Sequence, residues 1–262
     1  MTWKATVPAT ESTSSKTALI TGSGRQRLGA LLAHSLAAEG YRIVLHYHTS
    51  EATAAATVTT LQQQGVEAVA LSADVTCQDQ VDQMFTTCIE QFGQLDVLVT
   101  TAANWEPSPL ESLSAAQIRN SFEVNTMGTA LCCRAAGLIM AKQATGGSII
   151  TVGDWAIERP YPDYLAYFIS KGAIPAMTRA LAVDLASRNP KVRVNCIHPG
   201  PLLFPPGLSQ EERQQITDAS LLKKADCPEA FHQAVKFLID NEFVTGVCLP
   251  VDGGRTILPT TG

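Results

Sequence analysis

The sequence predicts an α/β protein in which a doubly wound parallel sheet carries helices on both faces. Short apolar runs alternate with longer helical segments from residue 17 almost to the end of the 262-residue chain, without linker or repeat. A glycine-rich turn separates the first run from the first helical segment. Strands that alternate with helices favour a parallel sheet with right-handed crossovers. Because the alternation is unbroken, we expect one domain over residues 16–262, preceded by a loose Ser/Thr-rich tail at residues 1–15.

The predicted strands are short apolar segments. They cover residues 17–20, 42–47, 69–73, 95–99, 148–152, 192–197 and 248–251. The second strand has an apolar centre and is expected to be buried. Ligands of such sheets bind beyond the carboxyl ends of the strands, so the residues that follow the strands are the candidate site.

The predicted helices carry apolar residues at spacings of three and four. The first follows the glycine-rich turn and places Leu28, Leu31, Leu32 and Leu36 on one side. The others cover residues 52–64, 81–92, 115–142, 164–187, 209–217 and 228–240. The segment 81–92 has the clearest pattern, so we expect it to pack against the sheet.

Composition excludes several classes of function. The net charge of −5 gives no basic surface for nucleic acid or an anionic membrane. No apolar run approaches the ~18 residues of a spanning helix, and the N-terminus lacks the apolar core of a signal peptide. Seven cysteines are scattered without a Cys-x-x-Cys pair. We therefore expect a cytoplasmic protein with reduced, buried thiols and no metal site.

Three residues carry the candidate chemistry. Tyr167 and Lys171 are four residues apart on a predicted helix, and positions at that spacing share a face. The ammonium group is then expected to lie beside the phenol and lower its pKa, which suits a general acid. Asp154 follows the apolar strand at residues 148–152.

This constellation resembles the short-chain dehydrogenase/reductase family, whose Tyr-x-x-x-Lys helix follows a strand that ends in a catalytic serine. Asp154 stands at the serine position, which is the pattern of the pteridine reductase branch. Pro199-Gly200 and the segment VTGVCLPVDGG also match family motifs, so the resemblance covers about residues 16–256. It implies a Rossmann-like fold, a homotetramer built through the helices at residues 115–142 and 164–187, and proton donation by Tyr167. The surplus apolar residues expected at that interface are Leu131, Leu138, Ile174 and Met177.

The first turn predicts a nicotinamide dinucleotide. Gly22, Gly24 and Gly29 lie between a strand and a helix, as a phosphate-binding turn requires, although a structural hairpin or cap has the same composition. Compared with the family, Arg27 replaces the usual middle glycine and the turn is one residue longer. The candidate cofactor-binding residues are Gly22, Gly24, Arg25, Arg27, Leu28, His48, Ser50, Asp74, Val75, Tyr167, Lys171, Pro199 and Gly200.

The end of the second strand predicts NADPH rather than NADH. NAD sites place a carboxylate there, but this chain has His-Tyr-His-Thr-Ser with none before Glu51. Arg25, Arg27, His48 and Ser50 could instead hold a 2′-phosphate, unless they are only solvated surface residues.

Two polar residues gain a role only from the resemblance. Asp74 stands where the family contacts the adenine ring, although a helix N-cap would explain it as well. Asn125 matches the asparagine that supports the lysine through water and is counted with Asp154, Tyr167 and Lys171 as catalytic. A buried amide that satisfies backbone groups is the alternative for Asn125.

The predicted substrate site is a slot for a planar ring. Trp105 occupies the place where pteridine reductases stack an aromatic on the pterin, with a core tryptophan as the alternative. Trp155 and Leu202 are the further candidates, together with Asp154 and Tyr167. The predicted reaction is NADPH-dependent reduction of a pterin or related C=N heterocycle. A carbonyl reductase and a non-catalytic NADPH-binding protein remain the alternatives.

Overall fold

The computed structural model describes residues 15–259, so the expected tail lies outside the described residues except for Ser15, as do the last three residues. Seven strands form one parallel sheet in the order β3-β2-β1-β4-β5-β6-β7. They are β1 (Thr17–Thr21), β2 (Arg42–Tyr47), β3 (Ala68–Ser72), β4 (Val97–Thr100), β5 (Gly147–Val152), β6 (Val192–Pro199) and β7 (Cys248–Val251). The predicted doubly wound α/β fold is confirmed.

Helices connect consecutive strands and cover both faces of the sheet. They are α1 (Leu28–Ala38), α2 (Glu51–Gln63), α3 (Gln78–Phe92), α4 (Ala115–Phe122), α5 (Gly128–Met140), α6 (Leu165–Gly172), α7 (Ile174–Ala186), α8 (Gln210–Asp218) and α9 (Glu229–Asp240). Between residues 15 and 259, none of the helices combines the length and apolarity needed to cross a bilayer.

The two longest predicted helices are each interrupted. A π-helical turn, Glu123–Met127, separates α4 from α5. Pro175 lies in the first turn of α7, where it lacks the N–H that would continue the hydrogen bonding of α6. The spacing of apolar residues predicts these helices, but it does not predict where a π-helical turn or a proline interrupts them.

The strand order places the candidate site. From β1 the chain runs outward through β2 and β3, and then returns to pair β4 with β1 before continuing to β7. All strands stay parallel, but the direction in which successive strands are added to the sheet reverses between β1 and β4, and a crevice opens there beyond the carboxyl ends of the strands.

The core consists of two layers, one on each face of the sheet. Along β1, Ala18 and Ile20 pack on the α1 and α9 side, whereas Leu19 packs on the α3 and α5 side. This alternation follows from the two-residue period of a strand. The two layers pack against the sheet whose strand ends carry the site residues.

Two predictions about exposure were wrong. Leu31 is 43% exposed, while Leu32 and Leu36 are buried, because residue 31 lies at the edge of the apolar stripe of α1. Ile174, expected as a surplus apolar residue at a subunit interface, is fully buried within the chain. Leu138, at 41% exposure, remains available on that face.

Candidate active site

A cleft of about 1120 Å³ lies where the sheet order reverses. Its lining includes every predicted site residue except Asn125 and Leu202. The loops after β1, β2 and β3 form one part of the cleft, and the loops after β4, β5 and β6 form the other. The topology therefore brings together residues that are far apart in the sequence.

Asp154 and Tyr167 form a hydrogen-bonded pair in this cleft. Asp154 caps the short 3₁₀ turn after β5, where its Oδ1 accepts the Ala156 N–H at 2.7 Å. Its Oδ2 accepts the hydroxyl of Tyr167 at 2.6 Å. Tyr167 is 5% exposed, so the pair lies largely out of water.

Burial dominates the electrostatics of this pair. Burial raises the pKa of Asp154, while hydrogen bonds from Tyr167 and Ala156 and the charge of Lys171 lower it. Burial also raises the pKa of Tyr167 well above its ordinary value, and the charge of Asp154 raises it further. The expectation that Lys171 lowers the pKa of the phenol was therefore wrong, because the carboxylate is the neighbour that the phenol contacts.

Lys171 is buried behind the pair. Its Nζ donates to the carbonyl of Val152, the last residue of β5, at 2.8 Å. Burial lowers the pKa of this ammonium group, and the negative charge of Asp154 raises it. The lysine thus fixes its helix against the end of β5 and supplies a positive field near Asp154.

Asn125 lies in the π-helical turn and is fully buried. Its Oδ1 accepts the Asn104 N–H at 2.8 Å, and its Nδ2 donates to the Asn104 carbonyl and to Ser170 Oγ. These contacts correspond to the alternative role considered above, a buried amide that satisfies backbone groups. In doing so Asn125 fixes the loop after β4 against the helix that carries Tyr167.

The glycine-rich turn fits a dinucleotide. Gly22 has a φ of +66°, and a Cβ there would lie 2.5 Å from the Cα of Ala102. A Cβ on Gly24 would lie 2.5 Å from the Cβ of Tyr47. Helix α1 then begins without a side-chain cap or an acidic residue in its first turn, which leaves its N-terminal amides for an anion. Leu28 is the first residue of this helix.

Sequence reasoning missed the role of His46, which holds this turn in place. Its Nδ1 accepts the Gly22 N–H at 3.0 Å, so its Nε2 carries the proton and donates to the Ala73 carbonyl at 2.9 Å. Burial lowers the pKa of His46, which favours the neutral ring that this arrangement requires. A histidine inside an otherwise apolar strand was the available signal.

Basic and polar side chains surround the end of β2. Arg25, Arg27 and His48 are exposed at the cleft, and Ser50 is half-buried. Neither arginine makes an ion pair with another residue of the part that the structure describes. The two guanidinium groups therefore remain available for an anionic ligand.

Asp74 and Val75 line the cleft after β3. Asp74 Oδ1 accepts both the N–H and the hydroxyl of Thr76, at 2.9 and 2.8 Å. The backbone hydrogen bond from Thr76 is the largest of the effects that lower the pKa of Asp74. Asp74 thus organises its own turn, ahead of α3, and still borders the cleft.

The loop after β6 borders the cleft, but one of its residues lies elsewhere than predicted. Pro199 and Gly200 line the cleft, and a Cβ on Gly200 would lie 2.6 Å from the Cα of Asp252. Leu202 is 4% exposed and belongs to the core, whereas Leu203 lines the cleft. The prediction that Leu202 borders the substrate site was therefore wrong, because an irregular loop has no period that tells which of two adjacent leucines faces the cleft.

Aromatic side chains gather at the cleft, which Trp105, Trp155 and Tyr161 line directly. Trp105 is 45% exposed and stacks on Tyr164, with ring centroids 4.9 Å apart and an interplanar angle of 12°. Its indole N–H donates to the hydroxyl of Tyr161 at 2.9 Å. Arg255 lies over the ring of Trp155 at 4.6 Å. Tyr161, Tyr164 and Arg255 were not predicted, although the aromatic-rich segment before Tyr167 was a signal for the two tyrosines.

Comparisons with known proteins agree with this geometry. A family model described as "Enoyl-(Acyl carrier protein) reductase" matches residues 24–256. The chain is 31% identical over 251 residues to Glucose 1-dehydrogenase 2 of Bacillus subtilis, covering 94% of this chain and 96% of that one. It is 32% identical over 256 residues to Versicolorin reductase 1 of Dothistroma septosporum, covering 91% and 95%.

A solved structure agrees as well. The crystal structure of a dehydrogenase/reductase from Sinorhizobium meliloti 1021 matches with a TM-score of 0.84 at 32% identity, covering 93% of this chain and 96% of that one. The chain therefore belongs to the short-chain dehydrogenase/reductase family, whose members are oxidoreductases that use nicotinamide cofactors.

Proposed function

We propose that the chain is an NADPH-dependent reductase of planar ring substrates, with a pterin or related C=N heterocycle as the first candidate. The observation that carries this proposal is the buried carboxyl group of Asp154, hydrogen-bonded at 2.6 Å to the phenol of Tyr167. A bound nicotinamide would supply the hydride. The proton that accompanies it must come from the protein, and these two side chains are the donors at the site.

The preference for NADPH rests on charge at the end of β2. Arg25 and Arg27 lie exposed beside His48 and Ser50, and no carboxylate occurs between Tyr47 and Ser50 to meet a ribose hydroxyl. Guanidinium groups bind phosphate through charge-assisted hydrogen bonds. An additional 2′-phosphate therefore gains contacts here, whereas an unmodified ribose lacks its usual acceptor.

The role of Asp154 rests on its raised pKa. An ionised carboxyl group only accepts hydrogen bonds, whereas a protonated one also donates. Burial keeps this carboxyl protonated to higher pH than an exposed one. It can thus donate to a ring nitrogen that must be protonated, and the adjacent hydroxyl of Tyr167 can replace the proton. Lys171 favours the charged form of the pair after transfer.

The shape of the substrate rests on the aromatic side chains. Trp105 and Trp155 both border the cleft that holds the Asp154–Tyr167 pair. Trp105 stacks on Tyr164, and the Arg255 guanidinium lies over the ring of Trp155. An aromatic wall favours a flat ring, because each stacking contact contributes about 1 kcal/mol.

A carbonyl reductase is the second candidate. A relative named Versicolorin reductase 1 and another named Glucose 1-dehydrogenase 2 favour chemistry at a carbonyl or alcohol carbon. A protonated Asp154 could donate to a carbonyl oxygen as a serine hydroxyl does. A non-catalytic NADPH-binding protein is disfavoured by the retained Tyr167 and Lys171.

The proposal also covers the oligomeric state of the protein and its location in the cell. We propose a homotetramer formed through the faces of α5, α6 and α7, where Leu138, Leu165, Ile169 and Val183 are exposed. Seven free cysteines, four of them buried, are consistent with the reducing environment of the cytoplasm.

The testing experiment is an NADPH-oxidation assay of the full chain with dihydrobiopterin, dihydrofolate, a quinone and an aliphatic ketone. We expect the highest kcat/KM with a dihydropterin. Trp105→Ala should raise KM for the planar substrates more than for the ketone, while Phe243→Ala, which changes a fully exposed aromatic outside the cleft, should change neither. Turnover of the ketone or quinone without any of the dihydropterin would select the carbonyl reductase.

A further inference from the structure

Two thiols and an imidazole form a cluster on β6 and β7, outside the cleft that holds the proposed reaction. Cys196 and His198 are two residues apart on β6, so their side chains leave the same face of the sheet. Cys248 on β7 is the direct register partner of Cys196. The potential ligand atoms of the three side chains all lie within 4.8 Å of one another. None of the three residues lines the cleft.

One member of this cluster carries an unpartnered polar atom. His198 is only 6% exposed, and its Nε2 has no hydrogen-bond partner among the residues that the structure describes. Buried polar side-chain atoms normally have a partner, so this nitrogen indicates a missing ligand. The thiol of Cys196 donates weakly to the Ile197 carbonyl at 3.6 Å and also interacts with the thiol of Cys248 on the neighbouring strand.

The space around the cluster is kept open by a glycine. A Cβ on Gly153 would lie 2.6 Å from Cδ2 and 2.8 Å from Nε2 of His198, and 3.3 Å from Sγ of Cys196. The imidazole nitrogen and the thiol therefore approach the same point of the backbone. Any larger residue at position 153 would displace the ring that carries the unpartnered nitrogen.

We propose that Cys196, His198 and Cys248 bind one Zn²⁺ ion through two sulfur atoms and Nε2. Zinc favours thiolate and imidazole ligands in tetrahedral geometry, with Zn–S near 2.3 Å and Zn–N near 2.0 Å, which places ligand atoms about 3.5 to 3.8 Å apart. The three atoms need only small side-chain rotations to reach those separations. Water fills the fourth position, and the two thiols lose their protons on binding.

The ion has an entry path and a structural consequence. Cys248 is partly exposed on β7, which is the edge strand of the sheet, so an ion can reach the cluster from that edge. Once bound, it links β7 to β6 immediately before Pro199. It also contacts the region of Gly153, the residue that precedes Asp154. The ion would therefore stabilise the strand ends beneath the active site without touching the reacting groups.

The test uses the full chain, reduced and treated with a chelator, desalted and then titrated with Zn²⁺ and separately with Co²⁺. We expect one equivalent of metal per chain by mass spectrometry, sulfur-to-cobalt charge-transfer absorption with Co²⁺, and a higher Tm with Zn²⁺. Cys248→Ser and His198→Gln should each lose this equivalent and the Tm shift. Cys227→Ser, a control that removes a partly buried thiol outside the cluster, should keep both.

Three outcomes would overturn the proposal. The first is metal bound equally well by the wild-type chain and both cluster variants. The second is no stoichiometric metal at all. The third is a disulfide between Cys196 and Cys248 in the protein as isolated, detected by thiol titration and peptide mapping. If Cys248→Ser fails to fold by circular dichroism, His198→Gln alone decides between loss and retention of the ion.

Discussion

Replacing Asp154 by serine separates the two candidate chemistries. Asp154 accepts hydrogen bonds from Ala156 and Tyr167 through its two oxygens. Serine is as good a cap as aspartate, so the short turn after β5 should keep its bond to Ala156. The shorter side chain removes the carboxyl group from Tyr167 and leaves a neutral hydroxyl facing the substrate. The fold should therefore survive while the proton donor changes.

The expected loss follows from the role of the carboxyl group. A positioned general acid contributes about 10² to 10⁴ in rate. We expect Asp154→Ser to lower kcat/KM for a dihydropterin by about 10²-fold, or roughly 2.7 kcal/mol of transition-state stabilisation. Reduction of a simple ketone should stay unchanged or improve, because a serine hydroxyl donates to a carbonyl oxygen at any pH.

The pH dependence has a defined sign. Burial raises the pKa of Asp154, so the protonated donor is present below that raised value and is lost as the pH rises through it. Wild-type kcat/KM for the dihydropterin should fall as the pH rises through the pKa of Asp154, and Asp154→Ser should lack that decrease. By linkage, the stability from this carboxyl is also lost as the pH rises through its folded-state pKa. The Tm of Asp154→Ser minus the Tm of the wild type should therefore increase as the pH rises.

The assay follows NADPH absorbance with a dihydropterin and with a ketone, at several pH values. Asp240→Ser is the control, because Asp240 is an exposed carboxylate at the end of α9 that does not line the cleft. It should leave both activities unchanged. An equal loss of both activities in Asp154→Ser would mean that Asp154 is structural, and the reasoning from its carboxyl group would fail.

Three further predictions concern the phenol, the cofactor and the assembly. Tyr167→Phe should lower kcat by about two to four orders of magnitude while NADPH still quenches protein fluorescence; near-normal turnover would assign the proton to Asp154 or water. NADPH should give a higher kcat/KM than NADH, and Arg27→Ala should raise KM for NADPH about tenfold, since a hydrogen bond to a charged group contributes about 1.5 kcal/mol. An unchanged KM would refute the phosphate assignment. Light scattering should give four times the 28.0 kDa chain mass, and Val183→Glu should lower that value; a wild-type monomer at micromolar concentration would exclude the tetramer.

The fold and most of the cleft were predictable because they depend on periodicity and on strand ends. Alternating apolar runs predict a parallel sheet, and a parallel sheet brings the residues after its strands together. Gly22, Asp74 and Asp154 each follow a predicted strand, so their positions predict that they meet at one edge of the sheet, while the role of Asp74 came from the family resemblance.

The remaining features depend on side-chain directions and strand registers that a single sequence does not contain. The contact of Tyr167 with Asp154, rather than with Lys171, depends on how the loop after β5 turns. Leu203 rather than Leu202 borders the cleft because of the path of an irregular loop, which no periodic pattern in the sequence reveals. Cys196 and Cys248 are far apart in the sequence, and only the register of β6 and β7 makes them neighbours.

A deuterium-transfer measurement tests directly whether the protein transfers a hydride from NADPH to a pterin ring. The enzyme would be incubated with a dihydropterin and with NADPH that carries deuterium at the carbon that donates the hydride, and the product analysed by mass spectrometry. We expect one deuterium in each tetrahydropterin formed by the wild-type chain, and strongly reduced formation of this product by Tyr167→Phe. An unlabelled or absent pterin product, with deuterium appearing in a ketone substrate under the same conditions, would contradict this expectation.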